Sequence, residues 1–261
     1  MAGAAQGGSW LFPDWSPWLR DGTNAAVDDL VVHFGDGFEA FSNGLLVVLV
    51  GLEQGLRGAP PALVLLAAAA LAWLAGRRWP LALLVGGGLW LVGALGQWDP
   101  AMQTLALVGV SVAVSLLIGL PLGVWCARSG WVRRVVTPLL DLMQTIPSFV
   151  YLIPAAMLFG LGKVPAILAT VIYATPPLIR LTELGIRQVS AEAVEAARAF
   201  GATRWQLLSK VQLPLSLPSV LQGVNQTTMM ALAMVVIASM IGARGVGETV
   251  LVGLQRNDPG T

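Results

Sequence analysis

The chain has 261 residues, of which 56% are hydrophobic and only 11% charged, against roughly 25% charged in an ordinary soluble domain. That deficit excludes a soluble globular protein, and the near-zero balance of +1 excludes a surface built to bind polyanions such as nucleic acid. A single cysteine, Cys126, excludes an intrachain disulfide and reads as a packed, inert thiol at the end of an apolar segment.

In chain order, the first segment is a head spanning residues 1–58. It holds seven of the fourteen acidic residues and only Arg20 and Arg57 as basic ones. No Lys or Arg precedes Arg20 and no apolar run follows Met1, so a signal peptide is not expected and membrane insertion falls to later segments. Trp10-Leu11-Phe12-Pro13-Asp14-Trp15-Ser16-Pro17-Trp18 is expected to be an irregular interfacial stretch. From Asn24, a good N-cap, Val27, Leu30, Val31, Phe34, Phe38 and Phe41 recur at helical spacing, with Asp28, Asp29, Asp36 and Glu39 on the other faces. This pattern predicts an amphipathic helix lying on the membrane surface, as a lipid-facing anchor in preference to a partner-binding element. His33 has no second histidine or cysteine nearby and is expected to be a surface residue, not a metal ligand.

A bilayer core about 30 Å thick requires about 20 apolar residues in a helix. Six candidate spans follow: Pro60–Ala75, Pro80–Gly96, Ala101–Ala127, Pro138–Gly162, Val164–Ile179 and Leu215–Ile241. The first two bracket Arg77-Arg78 as a tight hairpin over residues 59–97, and residues 98–261 form the remaining core. The fold class is therefore an all-α polytopic bundle. Gln144-Thr145-Ile146-Pro147-Ser148 interrupts the fourth span, as a broken helix lining a cavity or as a kink. Basic residues favour the cytoplasmic side. Placing Arg77 and Arg78 inside also places Arg128, Arg133, Arg134, Arg180, Arg187, Arg198, Arg204 and Lys210 inside, and leaves the head and the N-terminus outside.

Between the last two spans lies a polar insertion, residues 188–214. Ser190 caps a short Ala-rich helix with Glu192 in its first turn. Gly201 stands where that helix ends in the left-handed conformation. Thr203 and Gln206 form a capping-box pattern that starts a second helix, and Pro214 is expected to stop it. The product is a cytoplasmic helix–turn–helix whose first helix has a small-residue face, Ala193, Ala196 and Ala197, suited to close approach by a partner. A plain solvated loop has the same local outline. A DNA-binding element is excluded because both ends are tethered to the membrane and Glu192 and Glu195 alternate with Arg198.

Glu195-Ala196-Ala197, Gly201, Val211 and Leu213-Pro214 resemble, residue for residue and at the same spacing, the signature loop of ABC importer permeases, with Val211 where isoleucine is usual. Thr175-Pro176-Pro177, Arg180, Gly185, the Lys210–Leu215 run, Gly223-Val224-Asn225-Gln226-Thr227 and Met234–Ile241 look like the glycine betaine/proline betaine branch. The resemblance covers approximately Gln97 to Asp258. It implies a type I importer permease of a bacterial inner membrane, working as a pair of copies with a cytoplasmic ABC ATPase on each loop and an external substrate-binding protein, embedded in lipid. Glu195, Ala196, Ala197, Arg198, Gly201, Arg204 and Pro214 would form the ATPase-coupling element. Members of this branch continue into another span after the Gly245-Val246-Gly247-Glu248 region, whereas this sequence ends at Thr261.

Nothing in the chain matches a phosphate-binding loop: Gly160-Leu161-Gly162-Lys163 imitates only its end and is followed by Val164, which reads as a turn. The chain is therefore expected not to be an enzyme, with ATP and magnesium bound by a partner and no cofactor or metal of its own. Asp141 and Glu183, the ionisable residues within spans, lie near cytoplasmic ends, which disfavours an ion-coupled carrier. For the solute path the sixth span offers Asn225, Gln226, Thr227, Thr228, Met229, Met230, Met234 and Ser239, though the same residues suit helix–helix packing equally well. The cargo that the resemblance implies is glycine betaine, proline betaine, choline or a similar quaternary ammonium. The alternatives are a permease for another small solute such as an amino acid, or a membrane scaffold without a path.

Overall fold

The computed structural model describes residues 15–256, with the side chains of Ala26, Val27 and Leu30 excepted. Among the described residues every regular element is helical. The first, α1, runs unbroken over Ser16–Gly58. The expected irregular stretch falls partly outside the described residues, at Trp10–Asp14, and its remainder is helical from Ser16 onward. Pro17 stands at the start of α1, where a fixed φ suits the first turn and the missing N–H costs nothing. The helix also continues well beyond the surface pattern ending at Phe41. The run Leu45-Leu46-Val47-Val48-Leu49-Val50 carries it onto the rest of the molecule, where Leu49 is buried among Ala106, Leu107 and Ile167. By length and composition its Val31–Gly58 portion is long and apolar enough to cross a membrane.

The hairpin α2 (Pro61–Gly76) and α3 (Trp79–Ala94) turns at Arg77, whose φ is +46°. At 16 residues each these helices are shorter than a full crossing needs, so the six expected spans are too many. Four described helices are long and apolar enough to cross, or five when one bent pair is counted. That pair is α5 (Gly130–Thr145) and, after a 3-10 turn at Ser148–Tyr151, α6 (Leu152–Phe159), bent by 108°. The interruption falls at Ile146-Pro147, as the sequence predicts.

The core is a three-helix stack: α4 (Trp98–Arg128) and α10 (Leu213–Ser239) enclose α7 (Lys163–Arg187). Lipid supplies no hydrophobic drive between helices, so their association depends on close backbone approach. Gly123 of α4 lies so near α7 that a Cβ there would come within 2.7 Å of Thr182 Cβ, and Gly185 of α7 would meet Ser219 of α10 at 2.6 Å. The expected end of the fifth span at Ile179 is overrun, because α7 continues through Pro176, Pro177, Arg180 and Glu183 to Arg187. Its charges are compensated there: Arg180 pairs with Asp141 of α5, and Glu183 with Arg133 and Arg187. At the opposite end of the stack Glu53 of α1 is buried and pairs with Lys163, while Arg57 reaches Asp99 at 2.8 Å. The last helix, α11 (Val246–Arg256), is held to α4 by the Val246 N–H donating to Thr104 Oγ1 at 2.9 Å.

Candidate functional site

The insertion folds as a helix–turn–helix. In α8 (Ala191–Ala199) the Ser190 hydroxyl accepts the Ala193 N–H at 3.4 Å, with Glu192 in the positive first turn. Gly201 follows with φ +79°. Its N–H donates to the Arg198 carbonyl at 2.9 Å and that of Ala202 to the Ala197 carbonyl at 3.0 Å, the paired bonds that close a helix through a left-handed residue. Next, α9 (Arg204–Gln206) opens with a complete capping box: Thr203 Oγ1 accepts the Gln206 N–H at 3.3 Å, and Gln206 Oε1 accepts the Thr203 N–H at 2.9 Å.

Pro214 does not stop the second helix. From α9 the chain passes through a π-helical segment, Leu207–Gln212, directly into α10, giving one apolar helix over Arg204–Ser239. The wider π turns take up the disruption that a residue without an N–H introduces, and Pro214 sits in the first turn of α10, where proline is tolerated. The Leu207 and Leu208 side chains are buried beneath this junction.

The outward face of the loop differs from expectation. Glu195, Ala196, Arg198, Gly201 and Arg204 are exposed, but Ala193 and Ala197 are half-buried toward the chain's own π segment. Two residues outside the expected coupling set stand out here. Phe200, at the end of α8, is 93% exposed, and Trp205, at the start of α9, is 68% exposed. The available signal was two large apolar residues flanking a turn glycine in an otherwise polar loop. Together with Glu195 and Arg198 they give a rigid, mixed charged and apolar surface with no described partner.

The residues offered for a path separate into two groups. Thr227 is fully buried and its Oγ1 donates to the Ala174 carbonyl of α7 at 2.9 Å, beside the Pro176-Pro177 pair. Met234 is buried with Leu152 and Ala169, and Ser239 is buried and bonded to the Val236 carbonyl. Thr227 and Met234 hold α10 to its neighbours, whereas Ser239 bonds within α10. Thr228 bonds its own helix at Val224, and Met230 packs partly against Val108 and Ala231. Asn225, Gln226 and Met229 are exposed, and with Gln222 they form a polar stripe along one side of α10. Amides facing hydrocarbon without partners are costly, so this side of α10 is not suited to lipid.

Comparison with known proteins accounts for this combination of buried stack and projecting loop. Residues 119–260 match the family described as "binding-protein-dependent transport system inner membrane component", and the chain belongs to it. It is a permease-type inner-membrane subunit, of a family whose name implies an external binding protein. The chain is 49% identical over 89% of its length to the Bacillus subtilis glycine betaine transport system permease protein OpuAB, covering 82% of that protein. It is 48% identical over 93% of its length to the Escherichia coli glycine betaine/proline betaine permease protein ProW, covering 67% of it. It is 46% identical to the glycine betaine/carnitine permease protein GbuB of Listeria monocytogenes over 85% of its length, covering 82% of that protein. Among solved structures, a chain of the inward-facing MetNI methionine ABC transporter superposes with a TM-score of 0.53 at 28% identity, covering 60% of this chain and 78% of that one.

Proposed function

We propose that this permease moves glycine betaine, or a closely related quaternary ammonium solute, into the cell, driven by ATP hydrolysis on a partner subunit. The observation that carries the coupling half of this reading is the Gly201 turn with Phe200 and Trp205 exposed on either side of it. Large apolar residues held rigidly in water lose their unfavourable hydration when a partner covers them. The ABC ATPase is that partner; it holds ATP and magnesium, and Glu195, Ala196, Arg198 and Arg204 surround the contact. Support for the cargo comes from the close relatives, which are glycine betaine permeases by name.

The exposed stripe Gln222, Asn225, Gln226 and Met229 on α10 suits a path closed by a second copy of the chain, since amides there meet water or each other instead of acyl chains. The loop faces the cytoplasm, and the Glu53–Lys163 and Arg57–Asp99 pairs mark the outer end. Although Val31–Gly58 is long and apolar enough to cross a membrane, Asp36 and Glu39 lie within it and only residues 40–52, about 20 Å, are free of charge. That charge pattern favours a helix lying obliquely on the outer side, with its N-terminus outside, over a crossing. An impermeant thiol reagent should label Thr23→Cys from the exterior of intact cells, in a Cys126→Ser background; labelling only after lysis would reverse this placement.

The deciding experiment is uptake by vesicles holding the permease pair and ATPase, with ATP inside and the cognate binding protein outside. Accumulation of labelled glycine betaine, competed by proline betaine and not by methionine, is the expected result. ATP-dependent uptake of an amino acid instead would replace the cargo assignment, and no ATP-dependent flux of any solute would replace transport with a scaffold role.

A further inference from the structure

Beneath the coupling loop lies a cavity of about 500 Å³ at the point where the inner ends of α4 and α7 meet α8 and the π segment. Four guanidinium-bearing side chains line it: Arg128 from the last turn of α4, Arg187 from the last turn of α7, Arg198 from α8 and Arg204 from α9. No carboxylate does. Arg187 donates to Glu183 at 3.2 Å, but among the described residues no acidic group lies within 4 Å of Arg128, Arg198 or Arg204. Three unpaired guanidinium groups and a fourth paired with Glu183 gathered around one space repel one another, and an anion shared among them relieves that repulsion. The remaining wall is mainly aliphatic, with Ile186 and Leu207 both buried, and Gln212 adds one side-chain amide.

We infer that this cavity binds a phosphate-bearing anion that joins the coupling loop to the ends of α4 and α7. A phosphate group accepts several charge-assisted hydrogen bonds at once, and guanidinium is the side chain best shaped to donate them in pairs. The position favours the headgroup of an anionic phospholipid as the source. Trp125, one turn before Arg128, and Trp131, just after it, are 59% and 69% exposed, as aromatic residues are at the level of lipid headgroups. The inference rests on the cytoplasmic placement of the loop but not on the ATPase docking at Phe200 and Trp205.

The test compares the wild-type permease with R128Q and with R128Q/R187Q, and uses R128K/R187K to restore charge. Native mass spectrometry would count retained phosphatidylglycerol against phosphatidylcholine. Titration calorimetry with inorganic phosphate would test a soluble source. Expected is selective retention of phosphatidylglycerol, reduced about tenfold in R128Q, further in the double glutamine variant, and recovered with lysine. Phosphate binding with the same dependence on these arginines, without lipid retention, would support the site and assign it a soluble anion. Equal retention and equal phosphate binding by wild type and a folded, monodisperse R128Q/R187Q would overturn it. So would protection of all four arginines from a guanidine-modifying reagent by the ATPase alone, with neither probe protecting. Because Arg128 and Arg187 stand apart from the exposed docking surface, copurification of ATPase with R128Q/R187Q separates failure of this site from failure of the coupling assignment.

Discussion

Gly201 offers the sharpest test of the coupling reading, since substitution there has an isolated effect. No atom lies within 4 Å of a Cβ built on Gly201, so a small side chain meets no clash. What it meets is the backbone at φ +79°, a conformation that costs a non-glycine residue about 1–2 kcal/mol. For Gly201→Ala that shifts the loop away from its closed turn by a factor of about 5–30, and the apparent affinity for the ATPase falls by up to the same factor, as the closed fraction falls. Gly201→Asn should lose less, because asparagine tolerates the left-handed region, and Gly201→Val more, to the point of abolished uptake with membrane insertion intact. The assay is titration of the ATPase onto permease in lipid nanodiscs, followed by uptake at rising ATPase. Uptake by Gly201→Ala should recover at saturation, because the defect lies in the population of the docking state. Wild-type affinity in the alanine variant, or a loss of uptake that persists at saturation, would refute the argument.

Three further outcomes follow from the packing. Lys163→Met leaves the buried Glu53 carboxylate with only Arg57 at 3.5 Å, and should destabilise the permease by about 3 kcal/mol in thermal unfolding, partly restored in E53Q/K163M; equal stability of the single and double variants would remove the ion pair from the account. Gly123→Ala pushes a methyl toward Thr182 and the Ile179 carbonyl, 3.0 Å away, and should cost about 1–3 kcal/mol, while Gly87→Ala, with open space around it, should be neutral. Thr227→Val should lower stability by about 1 kcal/mol and leave solute affinity unchanged, whereas Asn225→Leu should lower uptake at unchanged stability. The opposite pattern would move the path to the other side of α10.

Much of this was legible from residue spacing. Ser190, Gly201, Thr203 and Gln206 act locally, through caps and one left-handed turn, and local rules suffice for them. Pro214 was misread because proline stops a helix only where its neighbours cannot widen, and the π segment before it does so. The far end of α1 was missed because its apolar run became meaningful only once Leu49 found Ala106 and Ile167 across the fold. Thr227 and Asn225 are two residues apart with similar polarity, and only tertiary packing assigns one to the α7 contact and leaves the other outside. The four arginines of the cavity come from four helices, so no window of sequence shows them together.

The unbroken passage from α9 through Leu207–Gln212 into α10 has a mechanical corollary. A loop joined to the bilayer by slack linkers would swallow a small displacement at its tip. Here the tip is one end of a stiff shaft, so a nudge from the cytosol must tilt or roll the whole shaft against α7. On the proposed coupling, the wide π turns and Pro218 within α10 are points of give between the loop and the amides of Asn225 and Gln226, and they would limit how much of a motor's stroke reaches them.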